Sequence, residues 1–404
     1  MFNNCCPATT MQLKTARADL PIIVILGMTL LAGCRQSPAP ERAETLRWPV
    51  MSTVAELSFP AATTNAGAMQ EVVSAVFEEV ENHLSLFRPE SDVARLNRQA
   101  GSNEVAIGRH AAAVLAYALR VAEESGGAFD PTVGPLMSAW GFRRGLTNVP
   151  HPTAAALGEA LAQTGWTNIV LSSQATPEGA ESGFVPLADS PRARLALAGM
   201  QLDLGAIAKG YAVDLAFEAI RQQGQSDNVL VNLAGNMRGL GTPSAARRGW
   251  RIGVRDPLHE GAWLGTIILN DGEGIATSGN YERHVTINGQ RYAHIIDPRS
   301  GHPVKGMISV TVLAGSAMEA DALSTALFVL GVEQRHTLLE KHPGCGAVYL
   351  LETDPPRLLV TPELRERFIP AKAWASSCGY LDGTKHDDAR NPIRTRTSAG
   401  VSEP

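Results

Sequence analysis

Apolar positions along this chain keep two periods. From Asn65 to Phe87, the residues Met69, Val72, Val73, Val76 and Val80 share one stripe at helical spacing, which predicts an amphipathic helix. "RHAAAVLAYALRVAEESGG" predicts a second, closed by Gly126 and Gly127. A third follows "DLGAIAKG" and runs over about Tyr211–Gln223. A fourth lies in "EADALSTALFVLG", Glu319 to Gly331, where Leu323, Ala326, Leu327 and Leu330 repeat and Gly331 stands where a glycine ends a helix. Short apolar runs bounded by turn residues predict strands: "NVLVNLAG", "WRIGVRDP", "WLGTIILN", "MISVTVLAG" and "GAVYLLE". "RHVTINGQRYAHII" reads as a hairpin turning at Asn288-Gly289. Residues 171–195, rich in Ser, Pro, Gly and Glu, read as loop. The irregular alternation, with hairpins, predicts an α+β fold of mixed or antiparallel sheets with packed helices. No glycine fingerprint for a dinucleotide or a nucleoside triphosphate occurs.

One position breaks the apolar pattern of the fourth helix. Asp321 and Thr325 lie one turn apart and so share a face. Two arrangements fit. The Thr325 hydroxyl bonds back to the carbonyl of residue 321 while Asp321 sits in water, or the carboxylate and hydroxyl act together as oxygen ligands.

The pattern changes again toward the N-terminus. Basic Lys14 and Arg17 precede the apolar run "PIIVILGMTLLAGC", too short to span a bilayer comfortably. Its end, "LAGC", resembles a bacterial lipobox, cut before Cys34, which then carries the lipid. The expected organisation is a lipoprotein signal peptide over residues 1–33 and a polar, Pro-bearing tether over 34–47. One folded domain over 48–370 and a polar, disordered tail over 371–404 complete it. The expected location is lipid-anchored in the bacterial cell envelope, facing the periplasm.

Composition narrows the class. With 404 residues, 44% hydrophobic and 19% charged, the chain is that of a folded globular protein. A net charge of −5 gives no footprint for nucleic acid. Of five cysteines, Cys5, Cys6 and Cys34 belong to the N-terminal segment. Cys345 and Cys378 remain and are expected to be unpaired.

Four stretches carry candidate chemistry. "GGAFDPTVGPL" (Gly126–Leu136) reads as a tight loop with exposed amides. In "LDLGAIAKGYAVD" (Leu202–Asp214), Gly205 permits a close backbone approach and Lys209 opens a helix, where a cation goes against the dipole unless an anion is bound there. In "ATSGNYERH", Thr277, Ser278 and Gly279 either hold a phosphate or ribose or make a turn. In "HIIDPRSG" (His294–Gly301), a His before an Asp-Pro turn is either a general base or structural.

Taken in order from Trp48 to Pro370, "MST" (Met51–Thr53), "LSLFRPESDVARLN", "GAFDPTVGPL", "DLGAIAKGYAVD", "VNLAGN", "TSGNYER", "HIIDPRSG" and "DALSTALFVLG" resemble the FAD:protein FMN transferase (ApbE) family. The resemblance implies an ApbE-like, T-fold-like architecture. It also implies an enzyme that uses FAD and a divalent metal, Mg²⁺, to attach FMN through a phosphoester to a Thr or Ser of an acceptor protein, releasing AMP. The implied acceptor is a membrane electron-transfer subunit carrying a flavin-attachment Thr motif. The implied metal ligands are the Ala206 carbonyl, Asp321 and Thr325. The implied flavin contacts are Met51, Phe87, Ala128, Phe129, Asp130, Asp203, Lys209 and Ile295. Thr277 and His294 fall in motifs near the pyrophosphate and the acceptor. His294, Lys209 and Asp321 are the candidate catalytic groups, with His294 as base for the acceptor hydroxyl. Two other functions share these residues: a metal-dependent FAD pyrophosphatase yielding FMN and AMP, and a non-catalytic flavin-binding lipoprotein. The chain departs from the family pattern twice, with Ser52 where Gly is usual and Ala234-Gly235-Asn236 where Gly-Gly-Asp is usual.

Overall fold

The computed structural model describes residues 43–143, 150–172, 191–243, 248–287 and 290–382. The expected signal peptide, Cys34, most of the tether, the Asn288-Gly289 turn and residues 383–404 lie outside them.

Nine strands form one sheet, and their spatial order is their chain order. They are Ala43–Val50, Thr53–Pro60, Val229–Leu233, Asn236–Leu240, Gly274–Gly279, Met307–Ala314, Gly346–Leu351, Arg357–Val360 and Cys378–Tyr380. Neighbours run antiparallel, except that Cys378–Tyr380 runs parallel to Arg357–Val360. The expected α+β class with a mixed sheet is what the molecule has.

The sheet is covered on both faces, and side-chain alternation decides which residues go where. On one strand Ala347 and Tyr349 join the core formed with the helices Ala66–Leu84, Arg109–Glu124, Ala208–Gln222 and Ala317–Leu330. The alternate Val348 and Leu350 join a second core. That core is closed by a three-stranded sheet of Trp250–Arg255, Trp263–Leu269 and Phe368–Pro370. Met307–Ala314, with both faces covered, is buried at all eight positions. Each of its Ile, Val and Leu side chains contributes roughly 1.5–3 kcal/mol.

Three expected boundaries move. Residues 43–47, assigned to the tether, belong to the first strand, which pairs with Thr53–Pro60 along its whole length. The tail does not begin at 371: Trp374 is buried and its Nε1 donates to Asp256 Oδ2 at 2.8 Å. Cys378–Tyr380 then adds the last strand. Few apolar residues are needed there, because the open sheet edge supplies the backbone partners. Within the expected loop 171–195, "RARL" (Arg192–Leu195) pairs with Ile169–Ser172, burying Ala193 and Leu195. Cys345 and Cys378 are buried and unpaired. Among the described residues, no helix is long and apolar enough to cross a membrane.

Both departures from the family pattern fall in two-residue hairpin turns. Met51 and Ser52 have φ of 48° and 57°, and Ala234 and Gly235 have 52° and 88°. Two positive φ values in succession make a type I′ turn, which favours glycine. The turns lie side by side, since Ala55 pairs with Leu233 and the Ala234 amide donates to the Val54 carbonyl at 3.2 Å. Asn236 is buried, and its Nδ2 donates to the Leu233 carbonyl at 3.1 Å, a bond that an aspartate could not make.

Candidate active site

The site begins where two helices meet. The Lys209 helix (Ala208–Gln222) packs against the first turn of the Asp321 helix (Ala317–Leu330). The contact depends on Gly210, where a Cβ would lie 2.2 Å from the Ala317 carbonyl oxygen. Asp214, one turn further on, accepts from the amides of Ala317 and Met318 at 2.9 Å each, and from Arg238 Nη1 at 3.2 Å. It therefore satisfies two of the free amides at the start of the Asp321 helix.

Gly210 also donates its amide to Asp321 Oδ2 at 3.0 Å. Gly210 is the third residue of its helix, so its amide has no carbonyl partner within the helix, and Asp321 satisfies it. Ala206 lies two residues before the helix, and among the described residues no hydrogen bond to its carbonyl is found. Asp321 is 6% exposed, and burial raises its pKa above the usual carboxylate value, opposed by Lys209 and the Gly210 amide. Lys209 Nζ lies 3.7 Å from Asp321 Oδ2 and also bonds the Gly205 carbonyl.

Thr325 does not bond back along its helix. Its hydroxyl meets Ser278 Oγ at 3.0 Å, while Ser324 Oγ takes the Asp321 carbonyl at 2.9 Å. Ser278 also meets Ser324 Oγ at 2.8 Å. Of the two arrangements open at Asp321 and Thr325, the solvated one is not found. The strand Gly274–Gly279 sends alternate residues to opposite faces. Thr277 thus bonds Thr311 Oγ1 at 2.8 Å on the other face. The hydroxyl brought to Thr325 is that of Ser278.

Other motifs hold the Asp203 loop in place. Asn97 Oδ1 accepts from the Leu202 amide at 2.7 Å and its Nδ2 donates to the Leu202 carbonyl at 3.1 Å. The Asp203 amide donates to the Pro131 carbonyl at 2.7 Å. Asp203 Oδ1 accepts from the Gly205 amide at 3.1 Å, and its Oδ2 lies 3.5 Å from Arg143 Nη2. The "HIIDPRSG" stretch docks on the same loop cluster, with Trp140 Nε1 donating to the Gly301 carbonyl at 2.8 Å.

His294 lies partly buried on this side of the molecule. Burial holds its pKa down, to about 4, offset by its bond to the Arg283 carbonyl, with the Arg283 and Lys209 charges lowering it and Asp203 raising it. Its Nδ1 is 3.2 Å from that carbonyl. Nδ1 therefore carries the hydrogen, and Nε2 is left with its lone pair.

The loop Gly126–Asp130 differs from expectation. Its amides are engaged: Gly126 to the Glu123 carbonyl, Gly127 to Ala122, Ala128 to Ser125 and Phe129 to Ser125 Oγ. Ala128 and Phe129 are buried in the core. Asp130 accepts from the Thr132 amide and hydroxyl and from the Trp166 amide, and burial raises its pKa despite those bonds. Its carboxylate shapes the loop. Ile295 is buried, Met51 occupies a turn, and Phe87 is 80% exposed.

The structure thus brings Lys209, Asp321 and Thr325 together, with Ala206 following the Gly205 carbonyl that Lys209 bonds and with Asp203 and His294 nearby. The sequence pattern does not single out Gly210, Asp214 or Asn97, and it offers Ser278 as a candidate without its Thr325 partner. Each lies inside a motif, but its partner is more than 40 residues away, so no local period could show it. An uncommitted carbonyl, a buried carboxylate and a hydroxyl form a small all-oxygen set that suits Mg²⁺, which keeps waters and takes substrate phosphates.

A family profile described as the ApbE family matches residues 51–349. The FAD:protein FMN transferase of Treponema pallidum (strain Nichols) is 35% identical over 339 residues, covering 82% of this chain and 84% of that protein. Its Haemophilus influenzae counterpart is 33% identical over 295 residues, covering 72% and 80%. The crystal structure of the Pseudomonas stutzeri flavinyl transferase ApbE, apo form, superposes with a TM-score of 0.67 at 28% identity, covering 81% of this chain and 97% of that one. The chain belongs to the ApbE family.

Proposed function

We propose that this chain is an FAD:protein FMN transferase that moves FMN from FAD to a Thr or Ser hydroxyl of an acceptor protein and releases AMP. The observation that carries the reading is the bond from the Gly210 amide to Asp321, which fixes the buried carboxylate on the same helix face as Thr325, with Ala206 just ahead of the Gly210 helix. Those three residues would hold Mg²⁺, which when bound neutralises pyrophosphate oxygens and stabilises the departing AMP.

The chain's own groups supply the rest. Lys209, at the start of its helix, places its ammonium 3.7 Å from Asp321 Oδ2, where it would also meet an anionic phosphate. Ser278 holds the Thr325 hydroxyl in one orientation. His294, neutral near pH 7 and tied at Nδ1, offers Nε2 to take the proton of the acceptor hydroxyl. Asp203, whose loop the Asn97–Leu202 bonds hold, lies near His294 and would contact the flavin.

The lipobox-like "LAGC" supports an envelope protein anchored through lipid on Cys34 and facing the periplasm. A membrane electron-transfer subunit with a flavin-attachment Thr is the acceptor that fits such an anchor. Incubation with FAD, Mg²⁺ and a candidate acceptor tests the activity. A fluorescent acceptor band with equimolar AMP is expected. AMP without labelled acceptor would make the protein a pyrophosphatase, and neither product would make it a flavin binder.

A further inference from the structure

On the far side of the Asp321 helix, "HPGC" folds into a tight turn. The Cys345 amide donates to the His342 carbonyl at 3.1 Å, and Gly344 has φ of 86°. Pro at the second position and Gly at the third make this a type II turn. It sets the His342 and Cys345 side chains beside Glu319. One ligand atom from each of the three lies within 4.8 Å of the other two. Glu319 and Asp321 are two residues apart on a helix and so face nearly opposite ways.

We propose that Glu319, His342 and Cys345 form a binding site for one divalent transition metal ion of the zinc class, separate from the Asp321 face. Three features carry this. First, the donor set is one oxygen, one nitrogen and one sulfur, which suits zinc or cobalt and disfavours magnesium and calcium. Second, His342 is oriented as a metal-bound imidazole is. Its Nδ1 faces Glu319 Oε1 at 2.8 Å, and its Nε2 lies 2.9 Å from Glu124 Oε2. A carboxylate holding the second ring nitrogen is the usual outer partner of a metal-bound His. Third, two of the three ligand residues are shut off from water: His342 and Cys345 are 6% and 4% exposed.

Without metal, the imidazole bridges two carboxylates and Cys345 stays a thiol. On binding, Cys345 Sγ releases its proton to solvent, and His342 Nδ1 gives up its own and turns its lone pair to the ion. Nε2–H continues to donate to Glu124. The ion would join three elements: the first turn of the Asp321 helix, the end of the Arg109–Glu124 helix, and the turn before Gly346–Leu351.

Titration of chelator-stripped protein with Co²⁺ tests the site. One equivalent should produce a near-ultraviolet sulfur-to-cobalt charge-transfer band that Zn²⁺ displaces and Mg²⁺ does not. Cys345→Ser should abolish the band. Glu124→Gln should keep it but weaken Zn²⁺ binding about 10- to 100-fold. Absence of the band in the wild type, or its persistence in Cys345→Ser, would overturn the proposal. Should Cys345→Ser fail to fold, His342→Gln takes its place: an unchanged Zn²⁺ affinity there overturns the site, and a lost one supports it.

Discussion

Gly210 donates its amide to Asp321 across 3.0 Å, and it can do so because it has no side chain. A Cβ at that position would meet the Ala317 carbonyl oxygen at 2.2 Å and Met318 Cα at 2.7 Å, both of them backbone atoms that cannot swing away. Gly210→Ala must therefore push the Lys209 helix off the Asp321 helix. Overpacking of this kind costs roughly 1–3 kcal/mol. The melting temperature should fall, and the further rise produced by Mg²⁺ should shrink, because the proposed ligands lie just ahead of one helix (Ala206) and on the other (Asp321, Thr325). Thermal unfolding with and without Mg²⁺ checks both, and an unchanged Mg²⁺ increment would separate the contact from the metal.

Asp321→Asn should divide stability from function. The folded protein holds the Asp321 proton more tightly than the unfolded chain does. Its contribution is then most favourable below the ordinary 3.8 and is lost as pH rises through the raised folded value. At neutral pH the buried carboxylate is a net cost. Asparagine keeps an acceptor for the Gly210 amide and removes the charge. The metal-free variant should melt above the wild type at pH 7, gain nothing from Mg²⁺, and transfer no flavin. A variant less stable than wild type without metal would contradict the sign.

Ser278→Ala should weaken Mg²⁺ binding without unfolding the protein. Thr325 would lose the partner that orients its hydroxyl, a bond of about 1 kcal/mol. That corresponds to roughly a fivefold loss of Mg²⁺ affinity, readable from melting temperature against Mg²⁺ concentration. Unaltered affinity would leave Ser278 a packing residue.

The helices and inner strands were legible because burial imposes a period. Met69, Val73 and Val80 marked their helix, and the β-branched, mostly apolar run of Met307–Ala314 marked a strand, which is covered on both faces. Asp321 and Thr325 were legible for the opposite reason: they interrupt a pattern. The last strand, Cys378–Tyr380, was not, because three residues at an open edge carry no periodic signal. The role of Ser278, as against Thr277, was hidden for a finer reason. Thr277 and Ser278 are chemically alike, and the strand's register alone decides which faces the Asp321 helix.

The two left-handed turns give a prediction about stability alone. Ser52 and Ala234 occupy positive φ, where a Cβ costs roughly 1–2 kcal/mol, part of which glycine gives back in entropy. Ser52→Gly and Ala234→Gly should each raise urea stability by about 0.5–1 kcal/mol. Asn236→Asp should do the reverse. It removes the donor to the Leu233 carbonyl and buries a charge, a loss of at least about 1–3 kcal/mol. Restoring glycine and aspartate together should therefore not add up to a more stable protein.

His294 gives the pH test. Its folded pKa of about 4 lies below the ordinary 6.5, so between those values the unfolded chain binds a proton that the folded protein does not. Stability therefore rises with pH across this window and falls as pH drops from 6.5 toward 4, with no further loss from this group below that. His294→Gln should flatten that slope. Catalysis should show the same depression. The acid limb of kcat/KM, which reports the free enzyme, should lie well below 6.5. Bound pyrophosphate brings negative charge toward the imidazole and favours its protonated form, so the limb of kcat should lie higher than that of kcat/KM. General base catalysis contributes about 10²- to 10⁴-fold, and His294→Gln should lose that much in kcat. An acid limb that survives in the variant belongs to another group, with Asp321, whose pKa burial also raises, the first to test. A kcat/KM limb at 6.5 in the wild type, unchanged by His294→Gln, would remove the imidazole from proton transfer and leave Asp321 to accept the acceptor's proton.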